Sequence, residues 1–133
     1  MSTILVIDDD DSYRRVCGLA LTGMGFQVLS AENGAKGLQC LAESAVDLVI
    51  TDILMPDTDG IETIMTIRKN HPHLPMVAIS GGGTVAAEQC LALSAKLGAV
   101  AALRKPFTLD ELADTVRRIL PSSRPDVPFV APD

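Results

Sequence analysis

The sequence predicts an α/β domain in which helices cover both faces of a five-stranded parallel sheet. Short apolar runs alternate at regular intervals with segments of helical period, which is typical of repeated βα units. The strand segments are apolar along their whole length, as strands buried on both faces are. The 133 residues, 47% of them hydrophobic, are enough to build one core of this kind.

The first βα unit begins with the apolar run "ILVI", which is followed by four consecutive aspartates. Asp is favoured at the N-cap and in the first turn of a helix. Asp10 and Asp11 therefore predict the start of the first helix. Asp8 and Asp9 have no such local explanation, so their adjacent charges indicate a function.

The second and third units repeat this alternation, and the second strand has the weakest pattern. Gly25 and Gly34 mark element boundaries, and "HPHLP" ends the third helix before the fourth strand. The five strands are predicted at residues 4–7, 26–30, 48–51, 76–80 and 99–103. The five helices are predicted at residues 11–23, 34–44, 60–70, 85–97 and 108–120.

The fourth unit is followed by a glycine boundary, and the fifth unit ends in the helix with the clearest pattern. Gly98 punctuates the boundary after the fourth helix. Leu112 and Val116 fall on one face of the last helix, and charged residues occupy the other faces. Thr108 and Glu111 have the spacing of a capping box, which predicts where this helix begins.

Polar side chains stand where four of the predicted strands end. Asp8 and Asp9 follow the first strand, Asp52 follows the third, Ser80 ends the fourth and Lys105 follows the fifth. Ligands of doubly wound sheets bind beyond the carboxyl ends of the strands, where the strand order reverses. Three carboxylates, a hydroxyl and an ammonium are therefore predicted to converge on one edge.

This constellation predicts a magnesium-dependent phosphoryl transfer. Two carboxylates ~4 Å apart repel by about 1 kcal/mol in water and several-fold more in a partly buried site, so a cluster of three needs a cation. Mg²⁺ suits such hard oxygen ligands. A remaining carboxylate oxygen could then attack phosphorus, while Lys105 and Ser80 neutralise and bind the phosphoryl oxygens.

Four segments of the chain resemble the receiver domain of two-component response regulators. They are "ILVIDDD", "DLVITDILMPDTDG", "AISGGG" and "LRKPF", which stand in the order and spacing of that family over about residues 3–120. The resemblance implies a flavodoxin-like fold with strand order 2-1-3-4-5. It also implies a phosphohistidine donor on a sensor histidine kinase or a histidine phosphotransfer protein.

The resemblance implies a role for each site residue. Asp52 matches the phosphoacceptor, Ser80 the switch hydroxyl and Lys105 the lysine that pairs with the phosphoryl group. Asp9 and Asp52 match direct Mg²⁺ ligands, Asp8 acts through water, and the backbone carbonyl of Leu54 is the remaining protein ligand.

Two features near Lys105 also follow from the resemblance. It suggests a cis bond between Lys105 and Pro106, which would aim the ammonium at the site. The family usually carries an aromatic residue three positions before this lysine, where the chain has Ala102. The conformational response to phosphorylation is therefore expected in the loop from Ser80 to Thr84 and at the start of the fourth helix instead.

Two other functions remain open at the level of sequence. Asp8 and Asp10 have the spacing of haloacid-dehalogenase-type phosphatases, which would make Asp8 a nucleophile and the protein an enzyme. Only one predicted helix and a tail follow Lys105, which leaves no strand for the further acidic pair of those enzymes. The third possibility is a degenerate receiver that binds partners without phosphorylation.

Composition favours a cytoplasmic protein that binds other proteins. The net charge of −6 and the lack of a basic run argue against direct nucleic-acid binding. Three cysteines without metal-ligand spacing indicate a reducing compartment, and no segment predicts export or a membrane span. We expect a stand-alone receiver domain over residues 1–120, followed by a proline-rich, disordered tail over 121–133.

Overall fold

The computed structural model describes residues 1–55, 58–81 and 84–120. Its strands are β1 (Thr3–Ile7), β2 (Gln27–Ala31), β3 (Leu48–Asp52), β4 (Leu54–Met55), β5 (Thr58–Asp59), β6 (Met76–Ser80) and β7 (Ala101–Arg104). Its helices are α1 (Asp11–Gly23), α2 (Gly34–Glu43), α3 (Gly60–Asn70), α4 (Val85–Lys96) and α5 (Leu109–Ile119).

Five parallel strands form the central sheet in the order β2-β1-β3-β6-β7. Counted along the chain without the two short strands β4 and β5, this is the order 2-1-3-4-5, so the predicted fold class and strand order are confirmed. The order reverses between β1 and β3, whose ends are aligned by the pairing of Ile7 with Thr51. The carboxyl ends of β1 and β3 therefore lie side by side.

Alternate side chains of the sheet pack into two separate cores. Leu5 and Ile7 face one core, which contains residues of α2, α3 and α4. Ile4 and Val6 face the other core, which contains residues of α1 and α5. All five residues of β1 are buried, because helices cover both faces of this strand.

The helix starts predicted from the aspartates and from Thr108 are present. Asp10 is the N-cap of α1, and its side chain accepts hydrogen bonds from the backbone N–H groups of Ser12 (2.9 Å) and Tyr13 (3.2 Å). Thr108 caps α5, where Oγ1 accepts the N–H of Glu111 at 3.0 Å. These caps satisfy backbone donors that have no partner within the helix.

The structure differs from the predicted boundaries mainly at the two edge strands. β2 begins and ends one residue later than predicted, and β7 begins two residues later. Both strands have a neighbour on one side only and are only partly buried, so their apolar pattern is weak. The antiparallel pair of β4 and β5 was not predicted, because two-residue strands have no periodicity to detect.

Gly60, the first residue of α3, packs against the backbone that follows the phosphoacceptor candidate. A Cβ atom there would lie 2.4 Å from the Cα of Ile53. We expect Gly60→Ala to lower the free energy of unfolding by about 1–3 kcal/mol, because backbone cannot move aside as a side chain can. Denaturant unfolding measures this change.

Gly18 provides the matched control, since it is also helical but a Cβ there would meet only a side-chain carbon of Val28 at 3.9 Å. Gly18→Ala is expected to stabilise the protein by about 0.5–1 kcal/mol through helix propensity. Equal effects of the two substitutions would contradict a steric role for Gly60.

Two further expectations concern the tail and membrane-spanning segments. The predicted tail, residues 121–133, lies outside the described residues. Among the residues that are described, no helix has the length and apolar character needed to cross a bilayer.

Candidate functional site

The side chains predicted to converge do so at the carboxyl edge of the sheet. Asp8 and Asp9 follow β1, Asp52 ends β3, Ser80 ends β6 and Lys105 follows β7. One carboxylate oxygen from each of the three aspartates lies within 4.8 Å of the other two. Strand register causes this proximity, because the ends of β1, β3 and β6 are offset by only one residue from each strand to the next.

The ammonium of Lys105 bridges two of the carboxylates. Its Nζ lies 2.9 Å from Oδ2 of Asp8 and 3.0 Å from Oδ2 of Asp52. The Lys105 side chain is 13% exposed, and the two carboxylates are buried. Burial opposes the charged form of Lys105, but the hydrogen bonds to Asp8 and Asp52 outweigh it and raise the pKa of Lys105.

Asp8 is held by its own loop and by the start of α1. Its Oδ1 accepts the N–H of Asp10 at 2.9 Å, and its backbone carbonyl accepts Nη1 of Arg14 at 2.7 Å. Burial raises the pKa of Asp8, although the hydrogen bonds from Lys105 and Asp10 act in the opposite direction. The charge of Asp8 is therefore only partly compensated, which favours a further cation at the site.

Asp52 is fixed by contacts on both sides of its strand end. Its Oδ1 accepts the N–H of Leu54 at 2.8 Å, and its Oδ2 contacts Lys105. The N–H of Ile53 donates to the carbonyl of Ile79 at 2.9 Å, which ties the end of β3 to β6. The carboxylate is thus oriented by one backbone N–H and by the Lys105 ammonium.

The three aspartates fit a magnesium ion. Asp8 and Asp52 are buried whereas Asp9 is exposed, so the cluster has a buried side and a side open to water. Mg²⁺ is commonly bound by one or two carboxylates and keeps several waters. The donor set, all carboxylate oxygens with access to solvent, therefore matches the chemistry of this ion.

Ser80 is buried at the end of β6, and its Oγ has no hydrogen-bond partner among the residues that the structure describes. A buried hydroxyl without a partner is unfavourable by about 1–3 kcal/mol. The backbone N–H of Lys105 donates to the carbonyl of Ser80 at 2.7 Å, so hydroxyl and ammonium sit on neighbouring strand ends. An incoming oxyanion would give this hydroxyl its missing acceptor.

Three further sequence-based expectations concern residues near Lys105 and Asp52. The Lys105-Pro106 bond is cis, as the resemblance suggests. Leu54 lies two residues after Asp52 and is half exposed, and the role of its carbonyl stays a prediction. Ala102 is exposed on β7 next to the buried Leu103. Because this residue is an alanine, it has no aromatic ring that could change rotamer.

Sequence reasoning missed Tyr13, which belongs to the site. The Lys105 ammonium lies 4.3 Å from the centroid of its ring. The same ring contacts Phe107, with centroids 5.5 Å apart and an interplanar angle of 43°. The available signal was its place in the first turn of α1, directly after the aspartates, in a chain with one tyrosine and no tryptophan.

Residues 4–117 match the family model of the response regulator receiver domain. The DNA-binding transcriptional regulator NtrC of Azospirillum brasilense is 37% identical over 124 residues, which are 93% of this chain and 25% of that protein. The sensor kinase CckA of Brucella abortus (strain 2308) is 35% identical over 121 residues, 90% of this chain and 12% of that protein. The chain thus spans a quarter or less of the length of these two relatives.

A solved structure has the same fold over nearly the whole described chain. The response regulator protein TrrA of Thermotoga maritima, solved in complex with Mg²⁺-BeF, superposes with a TM-score of 0.79 at 31% identity. The superposition covers 90% of this chain and 100% of that one.

Proposed function

Because this chain belongs to the response regulator receiver domain family of two-component signalling, we propose that it accepts a phosphoryl group on Asp52 with Mg²⁺ as cofactor. One observation carries the proposal. One oxygen of Asp52 lies within 4.8 Å of an oxygen of each of the two other carboxylates, and Lys105 Nζ lies 3.0 Å from Asp52 Oδ2. The family is a signalling module, so we propose only self-catalysed transfer and slow autodephosphorylation, without turnover of a separate substrate.

The proposed transfer forms one bond and breaks one. An oxygen of Asp52 attacks the phosphorus of a phosphohistidine, the P–O bond forms, and the P–N bond breaks to release the donor imidazole. Lys105 neutralises the charge that the phosphoryl oxygens bring, since its ammonium already contacts Asp52. Ser80 offers to the same oxygens a hydroxyl that has no hydrogen-bond partner among the described residues. A bound Mg²⁺ supplies the remaining positive charge.

We propose that Asp9, Asp52 and the backbone carbonyl of Leu54 hold the metal directly and that Asp8 acts through water. Exposure supports a direct role for Asp9, because its carboxylate is open to solvent. Both oxygens of Asp8 and both oxygens of Asp52 already accept a hydrogen bond or an ionic contact, so the water-mediated role is assigned to Asp8 by the resemblance to the family. TrrA, solved with Mg²⁺-BeF, supports the choice of ion.

The proposed partners are a sensor histidine kinase or a histidine phosphotransfer protein as donor, and a further protein that reads the phosphorylated state. The sensor kinase CckA is among the relatives, and the net charge of −6 makes direct nucleic-acid binding unfavourable. We place the protein in the cytoplasm, where cysteines stay reduced; Cys17, Cys40 and Cys90 are all free. The receiver domain is proposed to span residues 1–120.

A labelling experiment separates this function from its two alternatives. The protein is incubated with acetyl phosphate and Mg²⁺, its intact mass is measured, and the acyl phosphate is trapped with borohydride for peptide mapping. Label on Asp52 supports the receiver function. Label on Asp8 supports a phosphatase of the haloacid-dehalogenase type, and no label supports a receiver that binds partners without phosphorylation.

The conformational response is expected at the start of α4, because Ala102 has no side chain that could rotate. We predict that residues 80–90 change most when beryllofluoride and Mg²⁺ are added, since glycines lower the cost of two backbone arrangements. Gly82 and Gly83 themselves lie outside the described residues. Hydrogen exchange measures the change, and α2, which contributes no residue to the site, is the internal control. Equal protection changes in the two segments would contradict this mechanism.

A further inference from the structure

The ammonium of Lys105 has three contacts of two kinds. Two are with the carboxylates of Asp8 and Asp52, and the third is with the ring of Tyr13, whose centroid lies 4.3 Å away. The face of an aromatic ring attracts a cation within about 6 Å of its centroid. Since the Lys105 side chain is 13% exposed, this attraction is only partly screened by water.

The ring of Tyr13 is itself held in place from two directions. Its backbone N–H donates to the Asp10 side chain that caps α1, which fixes the start of the helix. Its ring packs against Phe107, and Phe107 in turn packs against the core between the sheet, α1 and α5. The orientation of the ring is therefore fixed by contacts that do not involve the Lys105 ammonium.

The two carboxylate contacts are the ones that the proposed function must alter. Mg²⁺ competes with Lys105 for carboxylate oxygens, and phosphorylation consumes one oxygen of Asp52. The ring takes part in neither event, so it is the contact of the ammonium that persists throughout. We propose that Tyr13 is a positioning residue, which holds the Lys105 ammonium at the site while the carboxylates change partners. This inference rests on the proposed phosphoryl transfer.

Three variants at position 13 test the role of the ring. Tyr13→Leu and Tyr13→Met keep an apolar side chain but remove the ring, and Tyr13→Phe keeps the ring but removes the hydroxyl. With acetyl phosphate and Mg²⁺, the two variants without a ring are expected to gain the phosphoryl adduct about 3- to 30-fold more slowly than wild type. Tyr13→Phe is expected to restore most of the rate. Intact mass against time gives the rates.

A double-mutant cycle distinguishes positioning of the lysine from a general structural effect. In a Lys105→Ala background the ring has no ammonium to hold, so Tyr13→Leu is expected to change the rate less than about twofold. The same slowing in both backgrounds would overturn the inference, because the ring would then act without the lysine.

NMR gives a readout that does not depend on phosphorylation. Protons above an aromatic face are shielded, so the side-chain resonances of Lys105 are expected upfield in wild type and Tyr13→Phe and at ordinary positions in Tyr13→Leu. Identical Lys105 shifts in all three proteins would overturn the inference. If wild type gains no adduct at all, the proposed function fails and the inference with it. If wild type is labelled and Tyr13→Leu is labelled equally fast, the inference alone fails.

Discussion

Asp52→Asn is expected to abolish formation of the phosphoryl adduct while the fold stays intact. The amide has almost the shape of the carboxylate but is uncharged and a poor nucleophile. It can still accept the N–H of Leu54, which now donates to Oδ1 at 2.8 Å. Lys105 loses one of its two carboxylate contacts and keeps Asp8 at 2.9 Å. The measurement is intact mass after incubation with acetyl phosphate and Mg²⁺.

Asp114→Asn is the control for this experiment, because it removes the same charge from an exposed residue of α5 that pairs with Arg117. It is expected to be labelled like wild type. Thermal unfolding of all three proteins shows whether the fold is retained. A folded Asp52→Asn protein that gained a stable adduct of one phosphoryl group would refute Asp52 as the acceptor.

The sequence was sufficient to predict the sheet because its central strands are uniformly apolar. β1 and β6 are buried along their whole length, and this burial is visible as an uninterrupted apolar run. β2 is partly exposed at the edge of the sheet, so its position could be predicted only to within one residue. The strands β4 and β5 have two residues each, which is too short for a repeating pattern.

The convergence of Asp8, Asp52 and Lys105 could also be predicted, since it follows from parallel strands that end at the same edge of the sheet. The individual contacts among these side chains could not be predicted. Which carboxylates the ammonium contacts depends on side-chain directions at the strand ends, and the contact with Tyr13 depends on how α1 is rotated about its axis. Neither direction is encoded in the spacing of residues along the chain.

Lys105 and a bound metal ion would share the same carboxylates. The negative charge that each aspartate offers to the metal therefore depends on its contact with Lys105. Asp8 and Asp52 are already neutralised in part by the ammonium at 2.9 and 3.0 Å. Asp9 has no ion pair with Lys105 or another cation in the described part of the chain, and it is exposed. A divalent cation therefore obtains a full negative charge only from Asp9.

Asp9→Ala is accordingly expected to lower the affinity for Mg²⁺ by at least about tenfold. Removing a unit charge ~4 Å from a cation costs about 1 kcal/mol per unit of cation charge in water and more near a protein surface, and a direct ligand is lost as well. Titration followed by amide chemical shifts measures the affinity. A second readout is the thermal shift produced by Mg²⁺, because a ligand that binds only the folded state stabilises it in proportion to RT ln(1 + [L]/Kd).

Asp11→Ala is the matched control for Asp9→Ala. Asp11 belongs to the same run of four aspartates, its side chain is 86% exposed, and it pairs with Arg14 instead of facing the cluster. Its removal is expected to change Mg²⁺ affinity by less than about twofold, since an exposed charge further away is screened by water and salt. If both variants lost affinity equally, the aspartate run would act only through its total charge. If Asp9→Ala bound Mg²⁺ like wild type, Asp9 would not be a ligand, and the metal would have to be held by the carboxylates that Lys105 already contacts.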